Sequence, residues 1–339
     1  MFLAALLVAC FCICESIVPP FKKPRTANAP GNLFVDESCI DCDVCRWMCP
    51  STFGRKGIKS IVTEQPEGDE AKLRAYAAMI SCPVGSIRLR SPDPLVKDAT
   101  KLLPAPIDPV RLPGILHLGY HSAQSYGATP YLVLRDSGNI MIDTPRFNER
   151  LAKMIEENGG LAYIILTHKD DIYDHDRWSQ RFPATKRVMH MADVTKDTDP
   201  VEIQLSSKDS WQIAEDVTIL HTPGHTAGSL CILVRTEGGE SAMFTGDHLA
   251  YSAKRGRLDG FKRYNHGNEK VQGDSIRLLA GEGEGEGEGE GMDFQWLLPG
   301  HGRMLRFANQ QERVESILQA AEMFDQEDEG EGRFGVGYN

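Results

Sequence analysis

The chain has no apolar run long enough to cross a bilayer. About 18 consecutive apolar residues are needed, and the longest run, residues 2–14, sits at the extreme N-terminus. Excess positive charge is also missing. Lys and Arg total 37 against 48 Asp and Glu, for a formal net charge of −11 and a pI near 5.4. No global field therefore draws the chain to a phosphate backbone or an anionic membrane, and neither nucleic acid nor a membrane is expected as a partner of the mature form. Cysteine is nearly absent beyond residue 82. Of the nine present, Cys10, Cys12 and Cys14 lie in the N-terminal run, Cys39, Cys42, Cys45, Cys49 and Cys82 form a second group, and Cys231 stands alone. A disulfide framework would be spread more evenly, so this clustering points to metal.

What is present is enough to bury a core. With 339 residues, 41% hydrophobic and 25% charged, the chain should fold as about two domains. Residues 1–32 combine the apolar run with a basic stretch that has no acidic residue between Glu15 and Asp36, and read as a targeting segment outside the fold. Residues 33–90 carry the second cysteine group. Residues 91–113, punctuated by six prolines, read as an extended linker because each ring disfavours helix. From residue 114 to 325, short β-branched runs alternate with amphipathic segments, as in sheets covered by helices. Strands are expected at 131–135, 140–143, 161–166, 187–190, 217–220, 230–234, 242–244 and 294–298. Helices are expected at 147–157, 269–280 and 310–324. The Gly-Glu alternation at 281–291 reads as a solvated loop and residues 326–339 as an acidic, Gly-rich tail.

Residues 39–50 read C-x2-C-x2-C-x3-C-P. Three thiolates at a spacing of three let one short loop wrap a 4Fe-4S cubane, while the fourth ligand comes from elsewhere. No second triplet exists, so a single cluster is expected. Cys39, Cys42, Cys45 and Cys82 are the candidate ligands. Cys82 sits in a second Cys-Pro pair after a helix-like stretch at 70–79, and Cys49 is read as spare, with the reverse assignment of Cys49 and Cys82 left open. A zinc site is the alternative, but zinc knuckles pair their cysteines two and two. Over residues 33–89 the chain resembles single-cluster bacterial-type ferredoxins, which implies electron transfer or a structural staple.

The remaining chain places polar residues where apolar strands stop. They are Asp143, the run Thr167 to His175, the loop around His225, Thr245-Gly246-Asp247 and Pro299-Gly300-His301. Singly, each reads as a cap or a satisfied core residue. Together they offer imidazoles and carboxylates enough for two divalent ions. With those residues in hand, residues 114–325 resemble the metallo-β-lactamase superfamily, an α/β fold arranged as an αββα sandwich. The resemblance implies that His168 and His225 bind one metal, that Asp174, His175 and His301 bind a second, and that Asp247 bridges them. It gives Asp174 and Asp247 the catalytic roles and Asp143 the task of orienting a ligand imidazole. The family's H-x-H-x-D-H is two residues longer here and lacks its second histidine. Asp170 is expected in that place, with Asp171 as the alternative. Flavodiiron proteins also carry an acidic residue there, and harder oxygen donors suit iron or manganese better than zinc. His190 could contact substrate or cap its strand and His248 could line the pocket, but both are read as structural residues outside the ligand set, and Cys231 as a small core residue.

The joined order is similar to two-domain chains of cyanobacteria and photosynthetic eukaryotes, which implies a plastid address. Three functions follow as expectations. One is a metal-dependent hydrolase of esters, thioesters or phosphoesters acting on a small molecule. The second is a diiron oxidoreductase fed by the cluster, with an electron-transfer partner. The third is a metal-binding module without turnover.

Overall fold

The computed structural model describes residues 23–207, 210–281 and 292–325. Two sheets lie face to face. The first has seven strands in the order Ile203–Leu205, Lys186–His190, Tyr163–Ile165, Ile140–Ile142, Tyr131–Val133, Ile115–His117 and Ala105–Pro106. The second has six, in the order Ser210–Ala214, Val217–His221, Leu230–Arg235, Ser241–Gly246, Trp296–Pro299 and Leu305–Arg306.

The alternation of side chains along each strand builds the layers. Ile140 and Ile142 point between the sheets with Ile165, Val188, Ile219, Leu230, Ile232, Val234 and Phe244. The intervening residues point outward and are covered by helices. Met141, Ile164 and Met189 pack under helices Glu149–Glu157 and His175–Arg181 through Leu151, Ile155 and Trp178. On the other side Cys231, Leu233, Met243 and Leu297 pack under helices Glu269–Ala280 and Gln310–Asp325 through Ile276, Leu279, Ile317 and Phe324. The result is the expected αββα sandwich. Each expected strand and helix is present with its ends moved by no more than two residues. Strands Ile203–Leu205 and Ser210–Ala214 and helix His175–Arg181 had no clear signal in the sequence.

The cysteine-bearing unit is small and mixed. Strand Leu33–Val35 pairs antiparallel with Ile87–Leu89, and Phe53–Lys56 pairs with Lys59–Val62. Helix Gly68–Ser81 covers them and ends at Cys82.

Two boundaries differ from expectation. Residues 23–32 belong to the fold: Arg25 donates to the Lys59 and Ser60 carbonyls and Asn28 Nδ2 to that of Val35, while residues 1–22 of the expected targeting segment lie outside the described residues. The proline-rich stretch is no free spacer. It holds helix Leu95–Ala99, a 3-10 turn and strand Ala105–Pro106, which edges the seven-stranded sheet opposite His117. Pro94 caps the helix start and Pro106 lies in the edge strand, places where a missing N–H costs little. Most of the Gly-Glu alternation, residues 282–291, and the tail from 326 also lie outside the described residues. Among the described residues, no helix is long and apolar enough to cross a membrane.

Candidate metal centres

Four strand ends meet at one edge of the sandwich. His168 follows Tyr163–Ile165, His225 lies in the loop after Val217–His221, Asp247 follows Ser241–Gly246, and His301 follows Trp296–Pro299. Asp247 is the hub. Its carboxylate lies 3.8 Å from His168 Nε2, 3.8 Å from His225 Nε2 and 2.7 Å from His301 Nδ1. Asp171 completes the group, with one carboxylate oxygen 3.9 Å from both His168 Nε2 and His301 Nδ1. Two overlapping triads result: His168, His225 and Asp247, and Asp171, Asp247 and His301, each with its donor atoms within 4.8 Å of one another.

His168 Nε2 and Asp171 Oδ2 are buried without a hydrogen-bond partner. Leaving such groups bare costs kilocalories each, and a divalent cation between them removes that cost, so the residues fit a metal. The charge pattern agrees. Burial pushes Asp171 well above the carboxylate range, with Asp247 adding to the rise. Burial lowers His168 to about 3, against the pull of Asp247. For His301, burial is outweighed by Asp247 and Asp171, which raise it to about 10. The His301 imidazole thus forms an ion pair with Asp247 that a metal must replace, with release of the proton.

The second layer explains the orientation. Asp143, at φ 50°, accepts from the Thr167 amide and hydroxyl at 2.9 Å each. Thr167 Oγ1 stands 2.9 Å from His168 Nδ1. With its proton given to Asp143, Thr167 accepts from Nδ1–H and leaves the Nε2 lone pair facing the centre. Asp143 therefore acts on His168 through Thr167. Gly300 is required by close approach: a Cβ there would stand 3.0 Å from Asp247 Oδ1 and 3.3 Å from Asp171 Oδ2.

Three site expectations need correction. Asp174 is not at the centre. It stands in the left-handed conformation before helix His175–Arg181, where its carboxylate accepts from the Phe147 amide at 2.7 Å and faces Arg177. His175, the first residue of that helix, turns Nδ1 to Arg187 at 3.2 Å. The cause is Trp178, fully buried with its indole donating to the Pro145 carbonyl, which draws the whole helix into the outer layer. Asp170 lies 4.0 Å from His168 but is 43% exposed, whereas Asp171 is 2% exposed and inside the centre.

Sequence reasoning also missed Asp193. It accepts from the Lys169 amide, the Thr226 hydroxyl and the Gly228 amide, and so ties the His168 loop to the His225 loop. A lone Asp after a strand carries no signal of that role. His190 caps a turn by accepting from the Ala192 amide and stacks on His221 at 3.9 Å, His248 is fully buried, and Cys231 is a core residue.

The second centre is a pocket in the small unit, lined by Cys39, Cys42, Cys45 and Cys82 together with Val35, Ile40 and Ile87. Cys49 does not line it and lies 3.8 Å from Ser51 Oγ. Asp41 and Asp43, both at positive φ, kink the loop between the cysteines. Burial, reinforced by Cys82 and Cys45, pushes Cys42 well above the usual thiol value, and burial brings Cys45 up to about 12. Thiolates in such a place need a cation beside them. Residues 35–89 match the family model described as the 4Fe-4S single cluster domain of Ferredoxin I. This part of the chain is a ferredoxin domain.

The chain is 28% identical over 141 residues to a hydroxyacylglutathione hydrolase of Cereibacter sphaeroides. That match takes in 41% of this chain and 51% of the relative, so the chain spans about half the length of the curated relative it matches. Among solved structures it is similar to the metallo-β-lactamase FIM-1 of Pseudomonas aeruginosa in its mono-zinc form, with TM-score 0.44, 17% identity and coverage of 58% of this chain and 84% of that one. The metallo-β-lactamase DIM-1 gives TM-score 0.47 and 12% identity, covering 62% of this chain and 94% of that one.

Proposed function

We propose that the chain is a metal-dependent hydrolase of a small ester, thioester or phosphoester. The observation that carries this reading is the pair of bare, buried donors, His168 Nε2 and Asp171 Oδ2, that converge with His225 and His301 on one shared carboxylate. The kinship to a hydrolase supports it. His168, His225 and Asp247 would hold one ion, and Asp171, Asp247 and His301 the other. Divalent ions there supply Lewis acidity and a water acidic enough to be deprotonated near neutral pH. The chain's own residues do the rest. Asp143 and Thr167 fix the His168 tautomer, Asp193 sets the spacing of two ligand loops, and Asp247 balances the charge between the two positions.

With three histidines and two carboxylates the donor set is harder than an all-histidine one, which suits manganese or iron as well as zinc. That observation favours, as the second reading, a diiron oxidoreductase drawing electrons from the ferredoxin domain. The test is turnover by the metal-loaded full chain on p-nitrophenyl acetate, a phenylthioacetate and bis-p-nitrophenyl phosphate. Hydrolysis of one class, abolished by chelation and restored by metal, is expected. A fully loaded chain inert to all three, whose extra irons reoxidise under oxygen, sinks the hydrolase reading in favour of the second.

A further inference from the structure

Residues 121–129 touch both centres. At one end the Ser125 carbonyl lies 3.2 Å from His301 Nε2, while His301 Nδ1 faces Asp247 and Asp171. An imidazole that ligates through one nitrogen is oriented by the acceptor on the other, so Ser125 sets the angle of His301. At the other end Gly127, at φ 90°, lies flush on the ferredoxin domain. A Cβ there would stand 2.9 Å from Cys42 Cβ, 3.3 Å from Cys42 Sγ and 3.2 Å from Pro83, the residue after Cys82. Two peptide units separate the group that orients His301 from the wall of the cluster pocket.

The segment belongs to no helix or strand and is held by its own turns, with the Gly127 amide donating to the Ser122 carbonyl at 2.8 Å and the Ala128 amide to that of Ser125 at 2.7 Å, and by His121. The Gly127 carbonyl accepts from His121 Nδ1 at 2.8 Å, and the Thr129 amide donates to the Gly300 carbonyl, next to His301, at 2.7 Å. His121 Nε2 lies 2.8 Å from His117 Nε2. Because His121 donates through Nδ1, its Nε2 accepts and His117 carries its proton on Nε2. Both rings are buried, and Trp47 of the ferredoxin domain packs edge-on against His117 at 4.9 Å. Between them, Tyr126 is held at φ 48° and is 76% exposed. A strained residue persists only where its surroundings over-determine it, and here the two ends of the segment do so.

We infer that His117 and His121 are positioning residues that make the His301 metal position depend on the ferredoxin domain's cluster pocket. The inference rests on the metal reading proposed above. Filling the pocket fixes Cys42 and Pro83, these seat Gly127, and the imidazole pair locks the carbonyls of the segment so that Ser125 meets His301. By thermodynamic reciprocity, the ion at His301 also stabilises the cluster.

The test is titration of the full chain with Mn2+, followed by the electron paramagnetic resonance of the free ion. Mn2+ is chosen because vacated thiols bind it poorly. The cluster-loaded wild type should take up two ions. Stripping the cluster should weaken one of them by tenfold or more, the range of lost second-layer support, and leave the other unchanged. His121→Phe with the cluster in place should weaken the same ion equally, and stripping its cluster should add nothing. His121→Asn, whose amide donates from the Nδ1 position, should recover the wild-type affinity to within about threefold. Gly127→Ala, which reaches the segment from the cluster side, should repeat the loss even where His121→Phe fails to fold. Bound Mn2+ should slow bleaching of the cluster by a chelator in the wild type but not in His121→Phe. Unchanged Mn2+ affinities on cluster removal overturn the inference, as do additive losses. Failure of cluster-loaded wild type to bind any Mn2+ overturns the metal reading, and the inference with it.

Discussion

The two centres are built in opposite ways. The cluster pocket takes three cysteines from one short loop, Cys39 to Cys45, and a fourth from the end of a single helix, Cys82. The centre at the sandwich edge draws its five donors from strand ends scattered between His168 and His301. A local site depends on a turn and tolerates change elsewhere. A dispersed site depends on the whole sandwich, and its ligands hold each other in place through one shared carboxylate. Loss of a single residue should therefore spread further at the sandwich edge than in the cysteine loop.

Asp247→Asn gives the largest expected effect. It removes the charge that His168, His225 and His301 all face, so both ions should weaken together, each by on the order of a hundredfold or more. Metal stoichiometry by mass spectrometry checks it, and full occupancy in the variant would end the shared-carboxylate picture. The local site should behave otherwise. Cys82→Ser should abolish the 4Fe-4S absorbance, while Cys49→Ser, outside the pocket, should retain it.

Asp171 and Asp170 sharpen the comparison further. Asp171→Asn should cost tenfold to a hundredfold in affinity at the His301 position, and Asp170→Asn less than about threefold, because only Asp171 has a bare buried oxygen there. Equal effects would return Asp170 to the ligand set. Thr167→Val should fall in the same tenfold to hundredfold range, at the His168 position, since it cuts the link between Asp143 and Nδ1.

This contrast also explains what the sequence could tell. The cysteine loop was legible because its ligand spacing is itself the geometry. The sandwich was legible too, from alternation that put Ile140 and Ile142 inward and Met141 outward. His168, His225, Asp247 and His301 each follow an apolar strand, and such positions necessarily meet at one sheet edge. The run from His168 to His175 was not legible, because spacing does not say where a helix begins. Trp178 decides it by burying itself, which takes Asp174 and His175 away and leaves Asp171 inside. His117 and His121 gave no signal at all, since their role exists only where the two domains meet.

The smallest expected effect lies outside both centres and tests whether the outer layer is independent of them. Glu202 accepts from the Arg187 amide, Nε and Nη2 at 2.8, 3.0 and 2.9 Å. Burial alone would raise its carboxyl, but those bonds and the guanidinium charge prevail and lower it to about 2. The folded value is below the unfolded value of about 4.3, so the stabilisation is complete above that pH and is lost as pH falls toward 2. Because Glu202 is 29% exposed, screening limits the contribution to on the order of 1 kcal/mol. Thermal melts between pH 5 and about 3 should therefore fall more steeply for wild type than for Glu202→Gln, while metal stoichiometry and the cluster absorbance at neutral pH stay unchanged. A variant that loses either metal would mean that Arg187, which also touches His175 and Asp176, transmits strain from the outer layer to the sandwich edge.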